Sequence, residues 1–387
     1  MKRRFKTCLY SLFGLIPIAL LACFSISWRH STSISCVGSS GVKPFLEQLS
    51  YQYSLIYPQY DITVDAGGSG FGISQVAEGF SDIGNASKDP YEAVKEQYQT
   101  QWKEKNIKTI TIGWEGICLL FIPPVGMSDE GLSKLRTCLT LNQTNAIQLY
   151  RLFSGYSDNL GDKYRNLGGF LSNNSGLNQN DINLLNNQPI SPFVRSGGST
   201  TSGTAASFFA GSHFTIDSNE LTDRQKNAFK TGDYGSDTKV YDTDEANSRA
   251  WDYFFKNKKP GGMIYLSSGF VEQNKDLIEK EHIGILAYNN HPFSVKKIKD
   301  TNDGYNFYRP LNVMLAVDES SAKWKFIQWL IGPDSSEEQW EKTGAKKITN
   351  ADKESMSKNG KFAVSDCDLF DESNPWPENW HFGADDK

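Results

Sequence analysis

The segment SISCVGSSGVKPFLEQLSYQY, residues 33–53, changes character twice within its length. A short β-like stretch runs into Gly38, Ser39, Ser40 and Gly41, after which Phe45, Leu46 and Leu49 fall on one face at helical spacing. The reading is a strand, a loop of small residues and the start of an amphipathic helix. A helix entry exposes unpaired backbone N–H groups at the positive end of the helix dipole, and glycine lets a ligand approach the backbone. Such an entry favours an anion.

Three further stretches share this build. YDITVDAGGSGFGISQVAEGF, residues 60–80, has an alternating strand at 61–65, a loop of Gly67, Gly68, Ser69 and Gly70, and then a helix. GFSDIGNASKDPYE, residues 79–92, gives a short strand ending in Asn85, Ala86 and Ser87. PFVRSGGSTTSGTAASFF, residues 192–209, has one charged residue, Arg195, among glycines and hydroxyls. A flexible linker needs neither the arginine nor the apolar run behind it, whereas an anion cradle uses the planar guanidinium fork. No Lys-Ser/Thr follows at P-loop spacing, and the dinucleotide fingerprint is not matched. Each loop alone is an ordinary strand-to-helix turn. Together, on both sides of a long middle region, they suit a small oxyanion caught between two lobes at the carboxyl edges of their sheets.

Composition bounds the alternatives. The N-terminus carries Lys2, Arg3, Arg4 and Lys6, an apolar stretch from Leu9 to Ala22, and then Cys23. This pattern resembles a bacterial lipoprotein signal in which LLAC is the lipobox, residues 1–22 are removed and Cys23 is acylated. An uncleaved anchor is the alternative, and both place the rest of the chain outside the cytoplasm. Without residues 1–22 the chain has 36 basic and 45 acidic residues, a net charge of −9. That balance excludes a general nucleic-acid binder and a polybasic membrane surface. Cys36, Cys118, Cys138 and Cys367 show no metal-ligand spacing and no disulfide framework, and Cys118 in GICLLFIPP reads as a core thiol. No metal and no cofactor are expected. The length exceeds what one core usually holds, so two lobes are expected, with the Asn-rich stretch 173–188 a surface insertion.

These residues resemble a known family, the phosphate-binding components of ABC importers, which have the type II periplasmic-binding-protein fold. VGSSGVKPFLEQL looks like its opening G-S-T-S-V-x-P loop, VDAGGSGFGISQV its second Gly/Ser loop, and SDIGNASKD its D-I-G-x-A-S-R segment. GMSDEGLSKLRTCLT, VRSGGSTTSGT, PGGMIYLSSGFV and YRPLNVMLAVDESSAKWKFIQWLIGPDSSEEQWEKTGAKKI follow in the family's order. The resemblance implies a two-lobed α/β fold with the ligand in the interlobe cleft. Residues 34–112 and 290–387 would form lobe I and 113–289 lobe II, with two hinge strands near 110–118 and 283–289. It also implies inorganic phosphate as ligand, an ABC permease and its ATPase as partners, attachment to the membrane through the lipid on Cys23, and no enzymatic activity.

Carried over by residue, the anion ligands are Ser40 and Gly41, Ser69, Ser87, and Arg195 with Ser199, Thr200 and Thr201. The family's arginine loop is R-x-x-G-S-G-T, whereas this chain reads RSGGSTTSGT. Counting from Arg195 selects Ser199–Thr201, and matching S-G-T selects Ser202–Thr204. Some family members close the third segment with an acceptor Asp, where this chain has Ser87-Lys88. A hydroxyl can donate to either anion, so weaker discrimination against sulfate is expected than in an Asp-bearing relative, and another oxyanion such as sulfate or molybdate is the alternative ligand. A rival reading takes SGVK (40–43), SDN (157–159) and KTG (230–232) as the motifs of penicillin-recognising serine enzymes, with Ser40 as nucleophile and Lys43 as its base. It requires KTG on a strand, and DRQKNAFKTGDYGSD has no β-like alternation. Trp324, Phe326, Ile327, Trp329 and Leu330 read as the apolar side of one helix. Trp114 and Glu115, after the strand KTITIG, are placed near the hinge and cleft, with a ligand role as the lesser alternative, and the histidines receive no role.

Overall fold

The computed structural model describes residues 31–87, 90, 93–173, 175–195, 218–244, 246–300, 304–316, 318 and 320–352. Strand β1 (Thr32–Gly38) lies between β2 (Tyr60–Ala66) and β3 (Ile83–Ala86), parallel to both. Parallel neighbours need a crossover, and helices α1 (Lys43–Ile56) and α2 (Ser69–Glu78) supply it. The expected strand–loop–helix units are therefore present at both opening loops, although Ser69 already begins α2.

The remaining strands are β4 (Ile107–Phe121), β5 (Thr140–Leu141), β6 (Ser191–Arg195), β7 (Tyr241–Thr243), β8 (Gly262–Ser267), β9 (Gly284–Ile285), β10 (Ala287–Tyr288), β11 (Tyr308–Ala316) and β12 (Ala345–Lys347). The sheet order is β2-β1-β3-β11-β4-β8-β6-β7. β4 is buried along all fifteen residues. Its first part, Ile107–Gly116, runs antiparallel to β11, and its last part, Ile117–Phe121, runs antiparallel to β8. Beyond β8, strands β6 and β7 are parallel again. Each half thus has parallel strands outside and an antiparallel seam at β4. This is the two-lobed mixed α/β architecture that the sequence led us to expect. The hinge expected near 110–118 falls within β4. In the stretch expected to hold the second, near 283–289, β9 pairs with Leu120 and Phe121 at the far end of β4 and β10 with β5, and just beyond it Val295 and Ile298 join the apolar cluster of Ile110, Ile112 and Trp114. Further on, Phe307 accepts a hydrogen bond from Ile117 N and Tyr308 stands opposite Gly116.

Each half has its own core. In the first, Phe45, Leu46, Leu49 and Tyr53 of α1 pack against Trp324, Phe326, Ile327, Trp329 and Leu330 of a helix at Ala322–Ile331. The Tyr53 ring lies 5.1 Å from Phe326 and 5.3 Å from Trp329. Burying each such side chain contributes about 1.5–3 kcal/mol. In the second, Leu149, Leu152 and Phe153 pack with Phe170, Phe229 and Tyr265. The core thiols Cys36, Cys118 and Cys138 are buried, and burial pushes Cys36 and Cys138 up to about 12. They stay protonated and unreactive.

Gly38 ties the opening loops together. Its carbonyl accepts from Gly67 N at 2.8 Å and Gly68 N at 2.9 Å, and Ser39 N donates to Asn85 O. A Cβ at Gly38 would stand 2.0 Å from Asn85 O, an immovable backbone atom. Gly38→Ala should therefore destabilise the protein by at least about 3 kcal/mol, read as a lower urea midpoint with an unchanged m-value.

Candidate functional site

The carboxyl ends of the parallel strands of both halves face one another, as open α/β sheets present their ligand crevice. From the first half come the β1 loop, the start of α2 and the end of β3. Neither α1 nor α2 has a side-chain cap at its N-terminus; at α1 the first N–H groups are taken up by the chain itself, Val42 N and Lys43 N donating to Ser39 O and Phe45 N to Val42 O. The three loops are linked through hydroxyls. Ser39 Oγ lies 2.8 Å from Ser87 Oγ and accepts from Gly41 N at 3.1 Å, while Ser87 N donates to Ser69 Oγ at 3.3 Å.

The second half contributes Arg195, the last residue of β6, and Ser267, the last of β8. Arg195 is only 2% exposed, its guanidinium lies 5.5 Å from the Tyr265 ring centroid, and Tyr265 donates its hydroxyl proton to Arg195 O. Arg195 Nη2 approaches Ser40 Oγ at 3.5 Å, a weak contact at the edge of hydrogen-bonding range. Asn247, at the start of a helix at Asn247–Asn257, donates to Ser40 O at 3.3 Å and to Ser267 Oγ at 3.0 Å. Both walls thus meet at Ser40.

Behind this meeting point is a buried ion pair. Arg309 on β11 stands directly across from Glu115 on β4, and its Nε donates to Glu115 Oε1 at 2.5 Å. Directly opposed residues on antiparallel strands present their side chains to the same face. Burial pushes the Glu115 carboxyl up from its usual range, while Arg309 and, less strongly, Arg195 oppose that shift. A methyl on Gly41 would lie 2.6 Å from Arg309 Nη2 and 2.9 Å from Glu115 Oε1. Glycine at 41 therefore leaves room for the pair directly beneath the first loop.

Of the residues expected in the site, Ser40, Gly41, Ser69, Ser87 and Arg195 converge. Ser199, Thr200 and Thr201, the alternative Ser202–Thr204, and Cys23 lie outside the described residues. Sequence reasoning gave no role to Ser39, Asn247 or Arg309. Arg309 carried a signal, the YRPL stretch already matched to the family; Asn247 carried none. Trp114 belongs to the first core, with Nε1 donating to Asp352 and Lys299 Nζ 3.8 Å from its ring centroid. The serine-enzyme arrangement is not assembled. Lys43 Nζ is engaged by Glu47 Oε1 and Val64 O, both at 2.5 Å, and Lys230–Thr231 end a helix that Gly232 caps at φ 74°.

Fold and cleft together define a two-lobed protein of the substrate-binding type. The chain belongs to the PBP superfamily, whose domain matches residues 27–334. It is 30% identical over 390 residues, 96% of each chain, to the uncharacterized lipoprotein MG412 of Mycoplasma genitalium. Over 112 residues, 29% of this chain and 35% of the other, it is 31% identical to the phosphate-binding protein PstS of Bacillus subtilis. Among solved structures it is similar to an ancestral soluble variant of the human phosphate binding protein, with a TM-score of 0.57, 10% identity, and 85% of this chain and 94% of the other covered. A Clostridium perfringens protein described as a candidate phosphate ABC transporter substrate-binding protein, solved with bound phosphate, gives 0.51 at 18% identity over 82% of this chain and 100% of that one.

Arg309→Met tests the buried pair. It leaves the Glu115 carboxylate without its nearest counter-charge, which should cost about 3–5 kcal/mol at neutral pH. A raised native pKa favours the protonated form, so the loss should shrink in acid and grow as pH rises through that pKa. Urea unfolding of wild type and variant across pH reads this directly; a loss independent of pH would mean that packing, not charge, sets it.

Proposed function

We propose that this protein is an extracytoplasmic, lipid-anchored solute-binding protein that captures inorganic phosphate, or a similar oxyanion, and passes it to an ABC permease powered by its ATPase. The observation that carries this reading is Arg195, a guanidinium almost wholly buried at a strand end and facing Ser40 across the interlobe cleft. Its planar fork matches an oxyanion, and charge-assisted bonds of about 1.5–3 kcal/mol each offset the ligand's lost hydration. In this reading Ser40, Gly41, Ser69 and Ser87 donate from one wall, and Arg195 with Ser199, Thr200 and Thr201 from the other. Residues 34–112 with 290–387, and residues 113–289, are the two bodies that close on the anion. No covalent step is needed.

Phosphate as the ligand is supported by the relatives' phosphate-binding descriptions and by the hydroxyl-rich loops. Attachment through Cys23 is supported by the LLAC junction and by the lipoprotein relative of nearly equal length. Among the described residues no helix is long and apolar enough to cross a membrane.

Arg195→Met keeps side-chain volume and removes the cation. Phosphate affinity by calorimetry should fall by about 2–5 kcal/mol, roughly 30-fold to several-thousand-fold. Lys43→Ala, which removes the serine enzyme's base, should keep most of the binding. The reverse pattern would reopen the enzyme reading. Separately, Cys23→Ala should leave the protein unprocessed or released in cell fractionation; normal processing with membrane retention would rule out the lipobox.

A further inference from the structure

The pole of the first half that lies away from the cleft carries an apolar rim. As crossovers between parallel strands, α1 and α2 start at the carboxyl edge of the sheet and run back to the amino edge, where β1, β2 and β3 begin. Four of the seven large hydrophobic side chains exposed among the described residues lie there. Tyr51, Leu55 and Ile56 occupy the last two turns of α1, and Phe80 follows the Gly79 cap of α2. Leu55 is 66% and Phe80 71% exposed. The two helices cover opposite faces of the sheet: on β11, Val313 and Leu315 pack in the core of α1 and the intervening Met314 in that of α2, and alternate strand residues face opposite sides. The apolar groups therefore form two footholds, one on each side of the sheet edge.

The chain enters the fold at the same edge. Thr32, the first residue of β1, stands opposite Tyr60, and its N–H donates to Gln59 O, three residues beyond Ile56. The second foothold is tied in as well, because Ser81 Oγ donates to Ser35 O while Ser35 N and Oγ donate to Asp82 Oδ2. Cys23 is nine residues before Thr32, so the connecting chain reaches at most about 30 Å. A lipid on Cys23 therefore keeps this pole next to the bilayer. The exposed charges beside Phe80 are of both signs, Lys103 and Lys105 with Glu78 and Glu104, and Lys105 Nζ donates to Ala77 O. The rim thus offers apolar insertion rather than attraction to anionic lipid.

We infer that this pole is a membrane-docking surface: Tyr51, Leu55, Ile56 and Phe80 insert into the interface of the bilayer that holds Cys23 and stand the protein on the end of its first lobe. The inference rests on the lipid-anchor reading above. Aromatic and aliphatic side chains favour the lipid interface. Four such groups bind a bilayer weakly by themselves, but a short tether makes the contact intramolecular and raises its effective concentration. The seven residues of β1 rise about 3.3 Å each from the docked edge to Gly38, which holds the cleft roughly 20 Å from the lipid.

The test has two readouts. Residues 23–387 without the lipid, floated with phosphatidylcholine vesicles at high lipid concentration, should co-float, and Leu55→Gln with Ile56→Gln and Phe80→Gln should reduce that partitioning about 10-fold or more. Replacing part of the lipid by anionic phosphatidylglycerol should change it little. In the acylated chain on the same vesicles, energy transfer to a lipid-surface dye should be strong from a label at Gln59→Cys and weak from one at Lys256→Cys, both in a Cys367→Ser background. Lys256 lies near the end of the helix whose start, Asn247, touches Ser40 at the cleft, so it marks the far side of the second half. The triple variant should bring the two transfer efficiencies closer together. An unchanged urea midpoint shows that the variant is folded; if half-buried Ile56 makes it unstable, Leu55→Gln with Phe80→Gln carries the same comparison. Wild type that ignores the vesicles, or a folded variant that partitions equally, overturns the inference. Self-association without vesicles that the variant abolishes assigns the pole to a second copy and overturns it too. Vesicle binding through these residues with no lipid found on Cys23 in cells overturns the anchor reading alone.

Discussion

Everything in this molecule is built on the burial of one long strand. β4 passes through both halves with no solvent-exposed residue, and its polar members Lys108, Thr109, Thr111 and Glu115 are buried with it. A strand covered on both faces must have its polar groups matched from within. Thr111 donates to Asn312 Oδ1 and Glu115 meets Arg309, both partners lying on the neighbouring β11. The seam therefore fixes the register between β4 and β11 by chemistry as well as by backbone pairing, and that register positions the floor of the cleft.

Once β4 is fixed, the placement of the candidate binding groups follows. The parallel strands on either side end at the same edge, so Gly38, Ala66 and Ala86 of one half confront Arg195 and Ser267 of the other. Loops of small residues allow close approach: Gly67 N and Gly68 N both reach the Gly38 carbonyl, and Gly41 clears the Glu115–Arg309 pair. Affinity in such a cleft depends on preorganised donors rather than on area. On the proposed reading, the chain's overall negative charge, unfavourable to an anion, makes those local donors more important.

Local features were legible in the sequence. The shift from alternating to helical periodicity located β1, α1, β2 and α2, and the apolar spacing from Trp324 to Leu330 identified a core helix. Hydroxyl-rich strand ends marked Ser40, Ser69 and Ser87, and the lone charge in its segment marked Arg195. Long-range features were not. KTITIG read as a strand of ordinary length, but β4 runs to Phe121 because two different partners pair with its two parts. Asn247 and Arg309 reach the site through pairing and helix docking across large sequence separations, which no local pattern records.

The most direct measurement is equilibrium dialysis of the protein lacking residues 1–22 against radiolabelled phosphate, with unlabelled sulfate and molybdate as competitors. The account predicts saturable binding of one phosphate per chain at the cleft, accompanied by compaction in small-angle scattering as the lobes close. No saturable binding of phosphate or of either competitor would contradict it.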